Sequence, residues 1–164
     1  MKKLLLALAV PFLAITACGT KKIDKHIFWM NLDNTAFKRS FEWWDDGDYL
    51  YKFNYDYEGV DSETGDRRFG MYIRIDNTTA NNVIFKASKV YYENAHYGRF
   101  YPVKLYNGLS DAETYEFDTL PGDYILLYSP LLTDDENFSL DLIFHIIINN
   151  DEFTMHNVRT GEPL

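Results

Sequence analysis

The alternation of side chains over residues 49–58 restricts the fold of this chain more than any other feature. Polar residues alternate there with apolar ones, which are Tyr51, Phe53, Tyr55 and Tyr57. A period of two places the apolar set on one face of an extended strand. The same alternation returns over residues 69–75, after a polar turn at 60–66. The two segments predict a β-hairpin with one face in a core.

Further short strand patterns, separated by turns, continue to the end of the chain. They cover residues 26–32, 83–92, 99–106, 113–118, 124–128, 139–149 and 152–158. Pro102 lacks the amide that a ladder needs, so its strand is expected at a sheet edge or with a bulge. The segment 139–149 is apolar on both faces, which is typical of a central or covered strand. About nine strands with almost no helix predict an all-β fold, an antiparallel β-sandwich.

The turn Leu120-Pro121-Gly122-Asp123 leads directly into a strand that starts at Tyr124. This corner resembles the tyrosine corner of immunoglobulin-like sandwiches, in which the hydroxyl bonds to the backbone a few residues upstream. The family's disulfide has no counterpart here, because the mature domain keeps no free cysteine. The motif does not carry the family's core tryptophan either. The resemblance implies an immunoglobulin-like sandwich architecture and such a hydrogen bond from Tyr124.

The first residues have the layout of a secretory signal peptide. Lys2 and Lys3 form a basic start, and residues 4–15 are an apolar run interrupted only by Pro11. A helix of that length spans about 18 Å, which is short of the ~30 Å hydrocarbon core of a bilayer. A cleaved signal is therefore expected here, and not a permanent membrane span.

The signal ends in Ile15-Thr16-Ala17-Cys18, which resembles the lipobox of bacterial lipoproteins. This resemblance implies that the Cys18 thiol receives a diacylglycerol, that cleavage occurs before it, and that a fatty acid such as palmitate acylates the new amino terminus. Several acyl chains give stable anchoring where one does not. Gly19 implies sorting to the outer membrane. An ordinary secretory signal with a chance cysteine is the alternative, although Cys18 is the chain's single cysteine.

These patterns divide the chain into a lipoprotein signal peptide at 1–17, a lipidated tether at 18–25 and a β-sandwich domain at 26–164. The full chain has 16 Lys+Arg against 25 Asp+Glu. Loss of Lys2 and Lys3 leaves 14 against 25, so the mature net charge is −11. A surface that acidic repels nucleic acid and favours cationic partners or divalent ions.

Residues that could carry covalent chemistry do not form a recognisable motif. The sequence has no nucleophilic cysteine, no glycine-rich phosphate loop and no serine in an elbow context, so no catalytic residue and no cofactor are predicted. The histidines are too scattered along the chain to suggest a metal site, and His145, among isoleucines, is expected to be buried and hydrogen-bonded. Acidic residues near 54–66 begin like a calcium loop, but Gly65 stands where the bidentate glutamate is needed, so a solvated face is the better interpretation.

The most unusual local sequence is Phe41-Glu42-Trp43-Trp44-Asp45-Asp46-Gly47-Asp48. Neighbouring side chains on an extended chain diverge, so one tryptophan is expected to be buried and one exposed. An exposed ring beside carboxylates suits a sugar-stacking or protein-docking patch. The predicted binding residues are Trp43, Trp44, Asp45, Asp46 and Asp48.

Together these features predict a lipid-anchored binding or assembly module of the cell envelope, without catalytic activity, held to the outer membrane on its periplasmic side and bound to an envelope protein. One alternative is an inhibitor or chaperone-like binder of a cationic exported protein, which the negative charge would steer. Another is an enzyme acting on envelope glycan, with Asp45, Asp46 or Asp48 as acid and base.

The acylation site is directly testable. Cys18→Ser is expected to accumulate as the uncleaved precursor without lipid, because the thiol is the proposed acyl acceptor. Metabolic labelling with a tagged fatty acid measures this, and label on the Cys18→Ser protein would contradict the prediction.

Overall fold

A computed structural model describes residues 22–31, 40–95, 97–133 and 142–158. The predicted signal peptide, Cys18 and Gly19 lie outside these residues. The described part forms the strands β1 Asp24–Asn31, β2 Ser40–Asp45, β3 Tyr49–Val60, β4 Arg67–Asn77, β5 Val83–Asn94, β6 Arg99–Pro102, β7 Tyr106–Asn107, β8 Glu116–Thr119, β9 Tyr124–Thr133, β10 Leu142–Ile148 and β11 Asp151–Val158.

The strands form two sheets packed face to face. One sheet has the order β1-β11-β10-β5-β6, with β8 also paired to β5, and the other has the order β2-β3-β4-β9-β7. Neighbouring strands are antiparallel, except that β1 runs parallel to β11. The predicted antiparallel β-sandwich is confirmed. In the described residues no helix is long and apolar enough to span a bilayer.

Several local predictions are confirmed by the pairing. β3 and β4 form the hairpin, with Phe53 opposite Ile73 in the core. Pro102 is the last residue of β6, which is an edge strand as its missing amide requires. β10 lies between β11 and β5, the central place that its two apolar faces predict.

Other boundaries differ from the prediction. Residues 99–106 were expected to be one strand, but β6 belongs to one sheet and β7 to the other. Pro102 stops the first ladder, and Leu105, which is fully buried, packs inside the sandwich as the chain crosses between the sheets. β1 begins at Asp24, inside the expected tether, and β2 forms a strand where none was predicted.

The predicted tyrosine corner at Tyr124 is wrong. The ring of Tyr124 lies on the outer face of its sheet, where the Arg74 guanidinium carbon is 3.9 Å from the ring centroid. Its hydroxyl makes no hydrogen bond to the described backbone upstream. A tyrosine that does bind main chain is Tyr92, whose buried hydroxyl donates to the Ser129 carbonyl at 2.6 Å and so joins the two sheets. Of what that resemblance implied, only the sandwich architecture is confirmed.

Asn77, at the end of β4, organises one end of the sandwich from a fully buried position. Its amide nitrogen donates to the carbonyls of Asn81 at 2.9 Å and Leu120 at 3.1 Å. Its side-chain oxygen accepts from the Thr79 amide at 3.0 Å and hydroxyl at 2.7 Å. Its backbone amide donates to the Asp123 carbonyl at 2.9 Å. One side chain thus ties the β4–β5 turn to the β8–β9 turn.

Asn77→Ala is expected to lower the free energy of unfolding by about 2–4 kcal/mol, because it removes a buried side chain and leaves several partly buried backbone groups without partners. Asn81→Ala is the control, since the Asn81 side chain is exposed and its backbone carbonyl is retained; a change within about 0.5 kcal/mol is expected. Urea denaturation measures both, and equal effects would contradict the role of Asn77.

Candidate functional site

The outer face of the sheet that contains β1 carries two rows of side chains that cross five of its six strands, β1, β11, β10, β5 and β6. We call these ten residues the aromatic–histidine face. The first row is Trp29, His156, Ile143, Glu93 and Phe100, and the second is Ile27, Thr154, His145, Tyr91 and Pro102. Each residue is the register partner of the next, so the rows follow from strand pairing. Four inter-strand spacings separate the ends of each row by about 19 Å.

Large apolar side chains on this face are open to solvent. Ile27 is 59% exposed, Trp29 53% and Phe100 60%. Trp29 and Phe100 lie at opposite ends of the first row, on the two edge strands β1 and β6. Clustered apolar side chains on a soluble surface mark interaction sites more often than scattered ones do. Aromatic anchors of this kind often dominate binding energy.

Polar groups lie between the anchors, and they are joined to one another. The His145 ring donates its Nε2–H to the Glu93 carboxylate, with 2.9 Å between Nε2 and Oε2. The Tyr91 ring stacks on the same histidine, with centroids 4.5 Å apart and planes at 12°. Burial lowers the pKa of His145, and the hydrogen bond to Glu93 opposes that shift only in part. The ring is therefore neutral at pH 7. As predicted, His145 is hydrogen-bonded, although it lies half-buried on the outer face.

His156 occupies the neighbouring strand and is stacked on Trp29, with ring centroids 4.4 Å apart. Burial, followed by the nearby His145, lowers the pKa of His156, so this ring is also neutral at pH 7. The stack fixes the orientation of Trp29 at the edge of the sheet. A rigid aromatic side chain loses little conformational freedom when a partner binds it.

The structure places the two predicted tryptophans on opposite sides of β2. Trp43 is 60% exposed on the outer face of its sheet. Trp44 is half-buried, with ring centroids 4.0 Å from His26, 5.2 Å from Tyr51 and 5.5 Å from Phe153. Trp44 therefore closes the sandwich where β1 and β2 meet, and only Trp43 presents its ring to solvent.

The predicted carboxylates build the turn between β2 and β3. Asp45 accepts a hydrogen bond from the Gly47 amide at 2.8 Å. Asp46 accepts from the amides of Asp48 at 2.9 Å and Tyr49 at 2.6 Å. Local acceptors of this type stabilise turns. The five predicted binding residues are consequently divided between the core, the turn and the outer face of one edge strand.

Acidic side chains near 54–66, and Asp76 on β4, also contact their own neighbours. Asp61 accepts from two backbone amides of its turn and from Arg68 at 2.6 Å, and these hydrogen bonds hold the pKa of Asp61 below its usual value. Asp76 lies 2.6 Å from Lys52 and 2.7 Å from Arg74. Within the ranges that the structure describes, no three carboxylate, histidine or cysteine side chains converge in a way that could hold a metal ion.

A shallow cavity of about 260 Å³ opens beside β4 and β9. It is lined by Arg68, Phe69, Tyr128, Pro130, Leu131 and Leu132. Ligand pockets usually measure about 300–1,000 Å³ and contain convergent polar groups. Arg68 is ion-paired with Asp61, so the cavity is a weaker candidate than the aromatic–histidine face.

Most of the aromatic–histidine face cannot be read from sequence pattern. Its residues come from three distant parts of the chain, with Trp29 on β1, Glu93 and Phe100 on the consecutive strands β5 and β6, and His156 on β11. One signal was available in β1, where Ile27, Phe28 and Trp29 are apolar on both faces of a strand that pairs on one side only. Such a strand exposes a large apolar side chain unless something covers it.

No family model and no curated protein matches this chain. Among solved structures, the chain is similar to a protein of Clostridium difficile 630 described as an uncharacterized β-sandwich protein. The identity is 13% and the TM-score 0.46, over 83% of this chain and 97% of that chain. The site is therefore described from the residues of this chain alone.

Trp44→Ala is expected to lower the free energy of unfolding by about 2–4 kcal/mol, because it removes ring contacts with three neighbours. Trp43→Ala, one position away, is expected to change it by no more than about 0.5 kcal/mol. Thermal melting of the two variants measures the difference. Equal losses of stability would contradict the different packing of the two rings.

Proposed function

We propose that this protein is a lipid-anchored binding module of the cell envelope that docks a partner protein through the aromatic–histidine face. The row from Trp29 to Phe100 is the single observation that carries the proposal. It combines exposed aromatic anchors at both ends with fixed polar groups between them. This arrangement resembles the centre of a protein interface more than a catalytic site.

The size of the face indicates the kind of contact that it can make. Two rows across about 19 Å cover on the order of 300 Å². A stable complex buries about 800 Å² on each partner. The face therefore corresponds to the anchoring centre of an interface, and the rim must come from surrounding loops and strands.

The proposed anchor puts this face near the membrane. β1 begins at Asp24, six positions after Cys18, so the connecting segment reaches at most about 20 Å. The lipobox resemblance supports attachment at Cys18 and sorting to the outer membrane. A partner would then be confined near the bilayer, which raises its effective concentration there.

The glycan-acting alternative has little support in the geometry. Of Asp45, Asp46 and Asp48, the three carboxylates considered as acid and base, Asp45 and Asp46 accept hydrogen bonds from backbone amides of their own turn. Carboxylates used in this way stabilise the turn, and the hydrogen bonds explain their presence without a catalytic role. We therefore do not assign them a catalytic role.

Photocrosslinking in living cells tests the docking face. A photoreactive amino acid is placed at position 29 or 100, with position 132 as the control. Leu132 is 49% exposed on the outer face of the other sheet. We expect positions 29 and 100 to capture the same partner and position 132 to capture none.

Equal capture at position 132, or no capture at positions 29 and 100, would contradict the docking face. The Cys18→Ser variant with the same photoreactive group is expected to lose most of the adduct, because the partner is concentrated at the membrane. Retention of the full adduct would show that docking does not depend on the anchor.

A further inference from the structure

Glu93 is the one acidic residue among the ten that form the aromatic–histidine face. It belongs to the row between Trp29 and Phe100, and its register partners are Ile143 on β10 and Phe100 on β6. Its described hydrogen-bond partner is His145, which is neutral at pH 7. The carboxylate is thus hydrogen-bonded within the face but its negative charge is not balanced by a neighbouring cation.

The other charged groups that face this region do not supply such a cation. On β11, Glu152 pairs with Lys25 of β1 at 3.4 Å, and His156 is neutral. Lys86, also on β5, pairs with Glu116 of β8 at 2.9 Å, and the guanidinium of Arg99, next to Phe100, lies 5.5 Å from the Tyr97 ring centroid. In the described part of the chain, Glu93 therefore has no lysine or arginine partner, and apolar side chains lie on both sides of it in its row.

Docking would remove Glu93 from water. A carboxylate buried without a counter-charge is strongly unfavourable. A partner with only apolar or acidic groups at this point would meet that penalty in full. A partner with a cation there would avoid it and gain a charge-assisted hydrogen bond. A second copy of this chain would bring another uncompensated carboxylate, so self-association is disfavoured.

We propose that the aromatic–histidine face selects a basic, otherwise apolar polypeptide segment, whose arginine or lysine binds Glu93 between the Trp29 and Phe100 anchors. This inference rests on the proposed docking function and specifies the chemistry of the partner. The net charge of −9 on the full chain acts in the same direction, because it steers cationic segments toward the protein. His145 is the positioning residue, since its hydrogen bond holds the carboxylate toward the row.

Matched peptides test the selection. One probe is an extended peptide with arginine at its centre and leucine on alternate positions, and the other has citrulline, the neutral isostere, in place of arginine. Binding is followed by NMR through the indole N–H signal of Trp29, which is distinguishable from those of Trp43 and Trp44 by substitution. We expect the arginine peptide to shift the Trp29 signal and to bind at least about tenfold more tightly.

Glu93→Gln is expected to abolish the preference for arginine, because the amide keeps an oxygen for the His145 hydrogen bond but loses the charge. Glu152→Gln is the matched control on the same face, and its preference for arginine should persist. Equal affinity of the two peptides for the wild type, or a preference that survives Glu93→Gln, would overturn the inference. Failure of both peptides to shift the Trp29 signal would overturn it too, whereas crosslinking at position 29 would still support the proposed function.

Discussion

Phe153 is the contact on which the sandwich depends most. Its fully buried ring lies 5.0–5.5 Å from the rings of His26, Trp44, Tyr51 and Phe53, which come from β1, β2 and β3. Since Cys18 is the single cysteine, no disulfide can join the sheets, and aromatic packing must do so. Aromatic pairs at these distances contribute about 0.5–1.5 kcal/mol each beyond the area they bury. One residue of β11 thus holds the strands of both sheets near the closed edge of the sandwich.

The same alternation that builds this core also produces the proposed docking face. When every second side chain points inward, the remaining ones must face water, and in β1, β5 and β10 many of these are also large and apolar. Aromatic and β-branched residues favour strands, so an aromatic-rich sequence stabilises both faces of its sheets. The outer rows therefore come from paired strands and not from loops.

The fold class, the β3–β4 hairpin, the central place of β10 and the edge position of Pro102 could all be predicted, because each depends on local pattern. The site could not. Trp29 and Phe100 belong to one row only because the strands are ordered β1-β11-β10-β5-β6. Strand order is set by packing between distant segments. Tyr124 shows the opposite failure: a short motif suggested a hydrogen bond, but the tertiary position of the ring beside Arg74 decided its environment. The adjacent Trp43 and Trp44 stood out in the sequence as a candidate binding patch, and yet the Trp44 ring packs against the core.

The parallel pairing of β1 with β11 has a mechanical consequence for a domain attached through its amino terminus. β1 is the first strand after the proposed anchor, and its eight residues pair with the full length of β11. Tension between the membrane and a partner held on the sheet would pull along β1, so its ladder bonds would be loaded together in shear and would not open one after another. The His26–Asp151 hydrogen bond of 2.9 Å lies at the end where that load enters. The edge strand could thus transmit force between the proposed anchor and the sheet.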